Sequence, residues 1–166
     1  GHAGQAKLAE KGWHVCAGVG KPTDADRLKE EFGAAVTPLT MEVTDMASLQ
    51  SAADTVRAAL KGTTLKGLVN NAGITNDAPL KRMGADQWTQ VINVNLNSMF
   101  NMCRHAFEGM CNRGFGRIVN ISSINGGKGQ FGQSNYAAAK AGVYGFTKSI
   151  ALEGARQGVR PAMHRP

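Results

Sequence analysis

The 166-residue sequence contains no apolar run of about 18 residues, so no segment is predicted to cross a membrane as a helix. Its opening stretch, GHAGQAKLAEKGW, lacks the apolar core of a secretory signal. The three cysteines, Cys16, Cys103 and Cys111, form no CxxC pair and show no metal-ligand spacing with the four histidines. We therefore expect no metal site, reduced thiols and a cytoplasmic location.

The charge distribution argues against a nucleic-acid surface. The formal net charge is +7, but the 19 basic residues are scattered and aromatic residues make up only 6% of the chain. No basic stripe interleaved with aromatics is present, and the positive charge instead favours attraction of an anionic cofactor or substrate.

Helical and strand patterns alternate along the chain, whose length and 42% apolar content suit one domain, residues 1–166. Helices are predicted at residues 4–12, 24–33, 45–62, 85–114 and 135–155, and strands at 13–19, 35–43, 65–70 and 116–122. This alternation predicts an α/β fold, a doubly wound parallel sheet with helices on both faces. Ligands of such sheets bind beyond the carboxyl ends of the strands, where NNAG (70–73) and SSINGG (122–127) lie.

The clearest chemical signal is a tyrosine and a lysine four residues apart, Tyr136 and Lys140. On a helix both side chains leave from one face, and an ammonium near a phenol favours the phenolate. Ser123, just past a predicted strand, is placed to donate a hydrogen bond to the same substrate carbonyl. Asn95, within NVNL, is expected to hold a water or bend its helix. A Tyr–Lys pair alone is typical of a protein surface, but these features together indicate a general acid with its supporting groups.

In this order the residues resemble the short-chain dehydrogenase/reductase family. The family pattern is a serine, twelve residues, a tyrosine, three residues and a lysine, preceded by an Asn-Asn-Ala-Gly turn; the resemblance extends from Gly1 to about residue 160. It implies a Rossmann-like fold and a catalytic set of Asn95, Ser123, Tyr136 and Lys140. It also implies that NADPH or NADP is bound. The implied cofactor-binding residues are Gly1, Lys21, Glu42, Val43, Asn71, Ala72, Gly73, Ile74, Thr75, Tyr136 and Lys140.

Three stretches, at 70–77, 116–142 and 145–153, are more specifically similar to family members of polyhydroxyalkanoate-making bacteria that act on acetoacetyl-CoA. That similarity implies NADPH-dependent reduction of the 3-keto group to (3R)-hydroxybutyryl-CoA, with Tyr136 as general acid. The implied acyl-CoA site comprises Asp77, Gln130, Phe131, Gly132 and Gln133. NADP is favoured over NAD because the strand at 13–19 ends in AGVGKP, which carries no carboxylate for a ribose 2′-hydroxyl.

Two further interpretations stay open. Reduction of a 3-oxoacyl-[acyl-carrier-protein] uses the same catalytic residues, and a non-catalytic remnant or assembly partner is compatible with the long apolar helices, through which the family forms homotetramers.

The resemblance also implies a chain truncated at both ends. Gly1 matches only the last glycine of the family's glycine-rich turn, so the first strand is expected to be missing, as are the last strands. Pro161 has no N–H to donate in a central strand. We expect this fragment alone to bind NADPH weakly or not at all.

Overall fold

The computed structural model of the chain describes residues 2–166, and their side chains from residue 3 onward. The chain forms two compact units, residues 1–63 and 64–166. Strands pair in parallel within both units, which confirms the α/β class. The single domain inferred from the sequence stays a prediction. Among the described residues, no helix is both long and apolar enough to cross a membrane.

The first unit alternates helices and strands as the sequence predicts. Its elements are α1 (His2–Glu10), β1 (Val15–Val19), α2 (Pro22–Phe32), β2 (Val36–Thr40) and α3 (Met46–Leu60). Pro22 stands at the start of α2, where its missing N–H costs no helical hydrogen bond. Asp45 caps α3 by accepting hydrogen bonds from the N–H groups of Ala47 and Ser48, at 3.0 and 3.3 Å. β1 and β2 bury Ala17 and Val36 against Leu28 of α2.

The second unit holds a three-stranded parallel sheet of order β3-β4-β5. Its elements are β3 (Gly67–Asn70), α4 (Ala85–Ile92), a π-helical segment (Asn93–Asn97), α5 (Ser98–Asn112), β4 (Gly116–Ile121), α6 (Asn125–Lys128), α7 (Ser134–Gly154) and β5 (Val159–His164). Its buried apolar core draws on α5, α7 and the sheet, and contains Cys103, Ala106, Met110, Ile118, Ile150 and Val159.

The helix predicted at 85–114 is interrupted by the π-helical segment, which confirms the expected local distortion at Asn95. The Asn95 Nδ2 atom donates to the carbonyl oxygen of Val91, 2.9 Å away and one turn earlier in the chain. A side-chain donor that takes a helical carbonyl disturbs the regular ladder, and π-helical segments of this kind are frequent at functional sites. The side chain of Asn95 is fully buried within this segment.

A strand forms after residue 158, where Pro161 led us to expect none, so that expectation is wrong. β5 pairs in parallel with β4, with Pro161 opposite Ile118. The N–H of Ser122 donates to the carbonyl of His164 at 2.8 Å, so every second residue back from His164 faces β4 and Pro161 faces away. Because β5 is the edge strand of this sheet, a proline whose nitrogen points to the open side removes no ladder hydrogen bond.

Candidate active site

The two polar turns singled out in the sequence emerge side by side. β3 and β4 run in parallel with Asn70 opposite Asn120, so the NNAG turn and the SSINGG turn leave the same edge of the sheet. This is the edge at which open parallel sheets bind ligands. The two turns therefore meet at one edge within this unit, as the sequence predicts.

A buried chain of polar side chains fixes α7 against these strands. The Asn70 Nδ2 atom donates to Asn120 Oδ1 at 2.8 Å, and Asn120 Nδ2 donates to Thr147 Oγ1 at 2.9 Å. All three residues are buried, where an unpaired amide or hydroxyl would be costly. Sequence reasoning missed Asn120 and Thr147; the signal was an asparagine inside an otherwise apolar strand, GRIVNI.

Asn70 also contacts the thiol of Cys103, with Nδ2 3.3 Å from Sγ. Burial raises the pKa of Cys103 to about 11, and the hydrogen bond from Asn70 opposes that rise. Cys103 is therefore an unreactive core thiol at neutral pH.

Lys140 is a buried cation, with only 3% of its surface exposed. Its Nζ atom donates to the carbonyl oxygen of Ile121 at the end of β4, at 2.9 Å, and lies 5.6 Å from the centre of the Tyr136 ring. Desolvation by burial lowers the pKa of Lys140 from its ordinary value. The backbone around it is tied to the same strand end, because Ser122 Oγ donates to the Lys140 carbonyl at 2.9 Å.

Asn95 presents an unpaired acceptor next to this amine. Its Nδ2 atom donates to the carbonyl of Ile74 at 2.8 Å, but the fully buried Oδ1 atom has no hydrogen-bond partner among the described residues. A Cβ atom at Gly73 would stand 2.9 Å from Asn95 Oδ1 and 3.5 Å from Lys140 Nζ. The backbone of Gly73 thus lies close to both an acceptor, Asn95 Oδ1, and a donor, Lys140 Nζ. A buried acceptor without a partner suits a hydrogen bond from a water or a ligand hydroxyl.

Ser123 lies half-buried between β4 and α6, and its hydroxyl accepts a hydrogen bond from the N–H of Asn125 at 3.2 Å. α6 packs tightly on α7, because a Cβ atom at Gly126 would lie 2.7 Å from the carbonyl carbon of Lys140. This close approach brings α6, which follows Ser123, against the backbone of α7 at Lys140 and Ala141.

The loop before α7 meets the loop after β3. Gln133 Nε2 donates to Asp77 Oδ2 at 2.8 Å, and the N–H of Ala78 donates to the carbonyl of Gly132 at 2.9 Å. The φ angle of Gly132 is +77°, a left-handed conformation that favours glycine. Phe131 is 87% exposed beside this double contact. Three of the five predicted substrate residues, Asp77, Gly132 and Gln133, are therefore in one cluster, with Gln130 and Phe131 in the same exposed turn.

Asn135, which sequence reasoning did not assign, lies fully buried next to Tyr136. Its Nδ2 atom donates to the carbonyls of Asn76 and Gln87, at 3.0 and 3.2 Å, and its Oδ1 atom accepts from the N–H of Tyr136 at 2.7 Å. The available signal was an asparagine in the first turn of a helix, where this residue type satisfies unpaired backbone groups.

The remaining predicted cofactor residues divide between the units. Asn71, Ala72, Gly73, Ile74 and Thr75 form the loop after β3, alternately exposed and half-buried. Lys21, Glu42 and Val43 belong to the first unit, and Gly1 lies outside the described residues. Lys21 is exposed before α2, while Glu42 Oε1 accepts from the N–H and Oγ1 of Thr44, at 3.0 and 2.8 Å. Their cofactor roles stay predictions.

Comparisons with known proteins point to one family. A family model described as short chain dehydrogenase matches residues 1–166. The chain is 43% identical to an acetoacetyl-CoA reductase of Cupriavidus necator over 157 residues, 92% of this chain and 63% of that protein. It is 41% identical to a 3-oxoacyl-[acyl-carrier-protein] reductase of Vibrio harveyi over 152 residues, 92% of this chain and 62% of that one.

Similarity is higher over a shorter segment. An acetoacetyl-CoA reductase of Allochromatium vinosum is 62% identical over 92 residues, 55% of this chain and 37% of that protein. The chain thus covers less than two thirds of the length of these relatives. Among solved structures, a gluconate 5-dehydrogenase of Burkholderia cenocepacia, in complex with NADP and tartrate, superposes with a TM-score of 0.86 at 31% identity. The match covers 98% of this chain and 64% of that one.

Proposed function

Since the chain belongs to the short-chain dehydrogenase family, we propose that it derives from an NADPH-dependent reductase of acetoacetyl-CoA that forms (3R)-hydroxybutyryl-CoA. The observation that carries the proposal is the buried Lys140 amine, which stands beside the Tyr136 ring. Both this amine and Asn95 Oδ1, which has no hydrogen-bond partner among the described residues, lie close to Gly73. A buried ammonium next to a phenol is an arrangement for moving a proton, and a surface Tyr–Lys pair would need no such burial.

The residues of the chain have distinct parts in the proposed reaction. Tyr136 gives its phenolic proton to the substrate carbonyl oxygen, and the hydroxyl of Ser123 donates a hydrogen bond to the same oxygen. Lys140, held by the Ile121 carbonyl, favours the phenolate that remains after the transfer. Asn95 fixes the loop after β3 through the Ile74 carbonyl and offers Oδ1 to a water that can replenish the proton.

The geometry around Gly73 fits a bound nicotinamide cofactor. The absence of a Cβ atom leaves room beside Asn95 Oδ1 and Lys140 Nζ, so a ribose hydroxyl can approach both a donor and an acceptor. Lys140, Tyr136 and the loop 71–75 would hold the nicotinamide end. The chemistry that NADPH supplies when bound is a hydride from C4 of its ring, delivered to the carbonyl carbon. The choice of NADP is supported by the complex of the gluconate 5-dehydrogenase and by the absence of a carboxylate in AGVGKP.

The acyl-CoA part of the proposal rests on the joined loops at 77–78 and 130–133. The hydrogen bonds between these two loops hold them together as one platform. The exposed Phe131 at the edge of this platform offers apolar surface to an acyl thioester. The relatives named acetoacetyl-CoA reductase, at 43% and 62% identity, favour this substrate. The related carrier-protein reductase of Vibrio harveyi, at 41% identity, favours a 3-oxoacyl-[acyl-carrier-protein] as the second candidate.

Self-association is the other part of the proposal. Phe100 on α5 is 52% exposed and Leu152 on α7 is 81% exposed, so both long helices present apolar surface. We propose that the full-length protein is a cytoplasmic homotetramer that uses these helices. An assembly role without catalysis would keep this surface while leaving NADPH unconsumed.

The direct test follows NADPH absorbance with acetoacetyl-CoA and, separately, with an acetoacetyl-[acyl-carrier-protein]. It is run on this chain and on the chain extended at both ends with the matching segments of the Cupriavidus necator relative. We expect turnover in the extended protein, faster on the CoA thioester, and weak NADPH binding by the shorter chain. No turnover on either thioester by the extended protein would refute the proposed function.

A further inference from the structure

Next to Tyr136 stands a side chain that uses both donor hydrogens and its accepting oxygen in hydrogen bonds. Asn135 is 0% exposed, and its amide has two donor hydrogens and one accepting oxygen. The donors go to the carbonyls of Asn76 and Gln87, and the oxygen accepts from the N–H of Tyr136. One carboxamide thereby joins the loop after β3, helix α4 and the first turn of α7.

The partners of Asn135 are themselves held in place. Gln87 Nε2 donates to Asn76 Oδ1 at 2.9 Å, and Asn76 Nδ2 donates to Gln90 Oε1 at 3.0 Å. Gln87 Oε1 in turn accepts from the N–H of Gly84 at 3.0 Å, at the start of α4. Asn135 therefore anchors Tyr136 to a fixed network, which we call the carboxamide junction: Asn76, Gln87, Gln90 and Asn135.

The junction spans the two sides of the candidate site. Asn76 directly follows the loop 71–75, proposed to hold the cofactor, and Tyr136 is the proposed proton donor. We infer that Asn135 is a positioning residue, which sets the distance between the Tyr136 phenol and the cofactor-binding loop. The inference rests on the proposed reductase function, since it assigns Asn135 a part in that reaction.

The chemistry of the residue type supports this role. Aspartate at this position keeps the acceptor for the Tyr136 N–H but puts carboxylate oxygens against two carbonyl oxygens, and alanine removes all three bonds. A displacement of about 1 Å in a reacting group slows a reaction by as much as about 100-fold while leaving binding groups in place. Loss of the junction should therefore lower kcat and leave KM nearly unchanged.

The kinetic test compares Asn135→Ala and Asn135→Asp with Ile150→Ala in the extended protein. Ile150 lies on the same helix, in the apolar core, so its truncation lowers stability without touching the junction. We expect kcat to fall at least about tenfold in both Asn135 variants, with KM for acetoacetyl-CoA and Kd for NADPH within about threefold of the parent. Ile150→Ala should keep kcat within about threefold.

A second measurement does not depend on turnover. In the isotope-labelled chain, hydrogen exchange of the Tyr136 amide should accelerate at least about tenfold in Asn135→Ala relative to Ile150→Ala, after correction for unfolding stability. In Asn135→Asp the Tyr136 amide should stay protected from exchange, because the aspartate keeps the accepting oxygen. If the alanine variant fails to fold, the aspartate variant still provides the kinetic test.

The outcomes separate the two proposals. An inactive parent refutes the reductase function. In that case the exchange measurement still tests whether Asn135 holds the Tyr136 amide. An active parent whose Asn135 variants keep kcat, or lose no more than Ile150→Ala, overturns the positioning role. Unchanged Tyr136 exchange in Asn135→Ala overturns it as well.

Discussion

The amine of Lys140 lies 5.6 Å from the centre of the Tyr136 ring, one helical turn away on α7. The pair is not a surface contact, because the lysine is buried and its Nζ atom donates a hydrogen bond to the Ile121 carbonyl at the end of β4. A desolvated ammonium costs stability that a purely structural residue would avoid. That cost makes the folding stability of the chain depend on pH.

Replacing Lys140 by Met should remove one contribution to the pH dependence of the free energy of unfolding. Burial lowers the pKa of Lys140 below its ordinary 10.5 in the folded chain, while the unfolded chain keeps the ordinary value. Between the two values the unfolded state binds more protons, so this residue makes stability rise with pH in that window. Below the lowered pKa both states carry the charge, and the cost of burial is present in full.

The measurement is the denaturant midpoint of the parent and of Lys140→Met over the alkaline range. We expect the stability of the parent relative to the variant to increase as pH rises towards 10.5. A constant difference across that range would show that the amine is not desolvated. Lys148→Met, on the same helix but exposed, provides the control and should show no such trend.

Gly73→Ala should disturb both the fold and cofactor binding. The added Cβ atom would lie 2.9 Å from Asn95 Oδ1, and Asn95 is held by two hydrogen bonds, so it has little freedom to move. We expect a loss of about 1–3 kcal/mol in unfolding free energy and weaker NADPH binding.

The matched control is Gly145→Ala in the middle of α7, where no described atom outside the neighbouring backbone of the helix lies within 4 Å of the new methyl group. That change should stabilise the protein by about 0.5–1 kcal/mol, because alanine loses less backbone entropy than glycine in a helix. Equal changes in unfolding free energy and in NADPH affinity for the two substitutions would show that a Cβ atom at residue 73 is tolerated.

Gln133→Met tests the platform proposed for the acyl thioester. The substitution keeps the length of the side chain but removes both of its hydrogen bonds: the one that Gln133 Nε2 donates to Asp77, and the one that Gln133 Oε1 accepts from Asn125 Nδ2 at 2.9 Å. Because the bond to Asp77 is exposed and the bond to Asn125 is half-buried, the free energy of unfolding should fall by no more than about 1.5 kcal/mol. We expect KM for acetoacetyl-CoA to rise several-fold while Kd for NADPH stays the same.

Gln50→Met is the corresponding control, since it removes another exposed Gln–Asp hydrogen bond, to Asp54 on α3. It should leave both constants unchanged. A rise in KM of the same size in both variants would show that the Gln133–Asp77 contact has no specific part in substrate binding.

Much of the fold followed from local pattern. Apolar strand segments, glycine stops and the Asp45 cap are short-range signals, and the structure places elements close to each predicted range. β5 is missed at the level of sequence because Pro161 is treated as a residue of a central strand. In an edge strand the proline nitrogen can face outward. Whether a strand is central or at an edge depends on the whole sheet, which local sequence does not encode.

The candidate site shows the same division. Tyr136 and Lys140 share a helix, so their spacing alone places them together, and the turns at 70–73 and 122–127 follow from parallel pairing. The contacts of Asn135 with Asn76 and Gln87 join residues 59 and 48 positions apart. No local pattern predicts such pairs, because they arise only when three separate elements pack together.

The most direct test of the proposed proton transfer is Tyr136→Phe against Tyr144→Phe in the extended protein. The chain has two tyrosines, both on α7, and only Tyr136 stands beside Lys140 in the candidate site. We predict that Tyr136→Phe lowers NADPH-dependent reduction of acetoacetyl-CoA at least about 100-fold with NADPH affinity retained, and that Tyr144→Phe does not. Turnover by Tyr136→Phe within about threefold of the parent would contradict the assignment of Tyr136 as the proton donor.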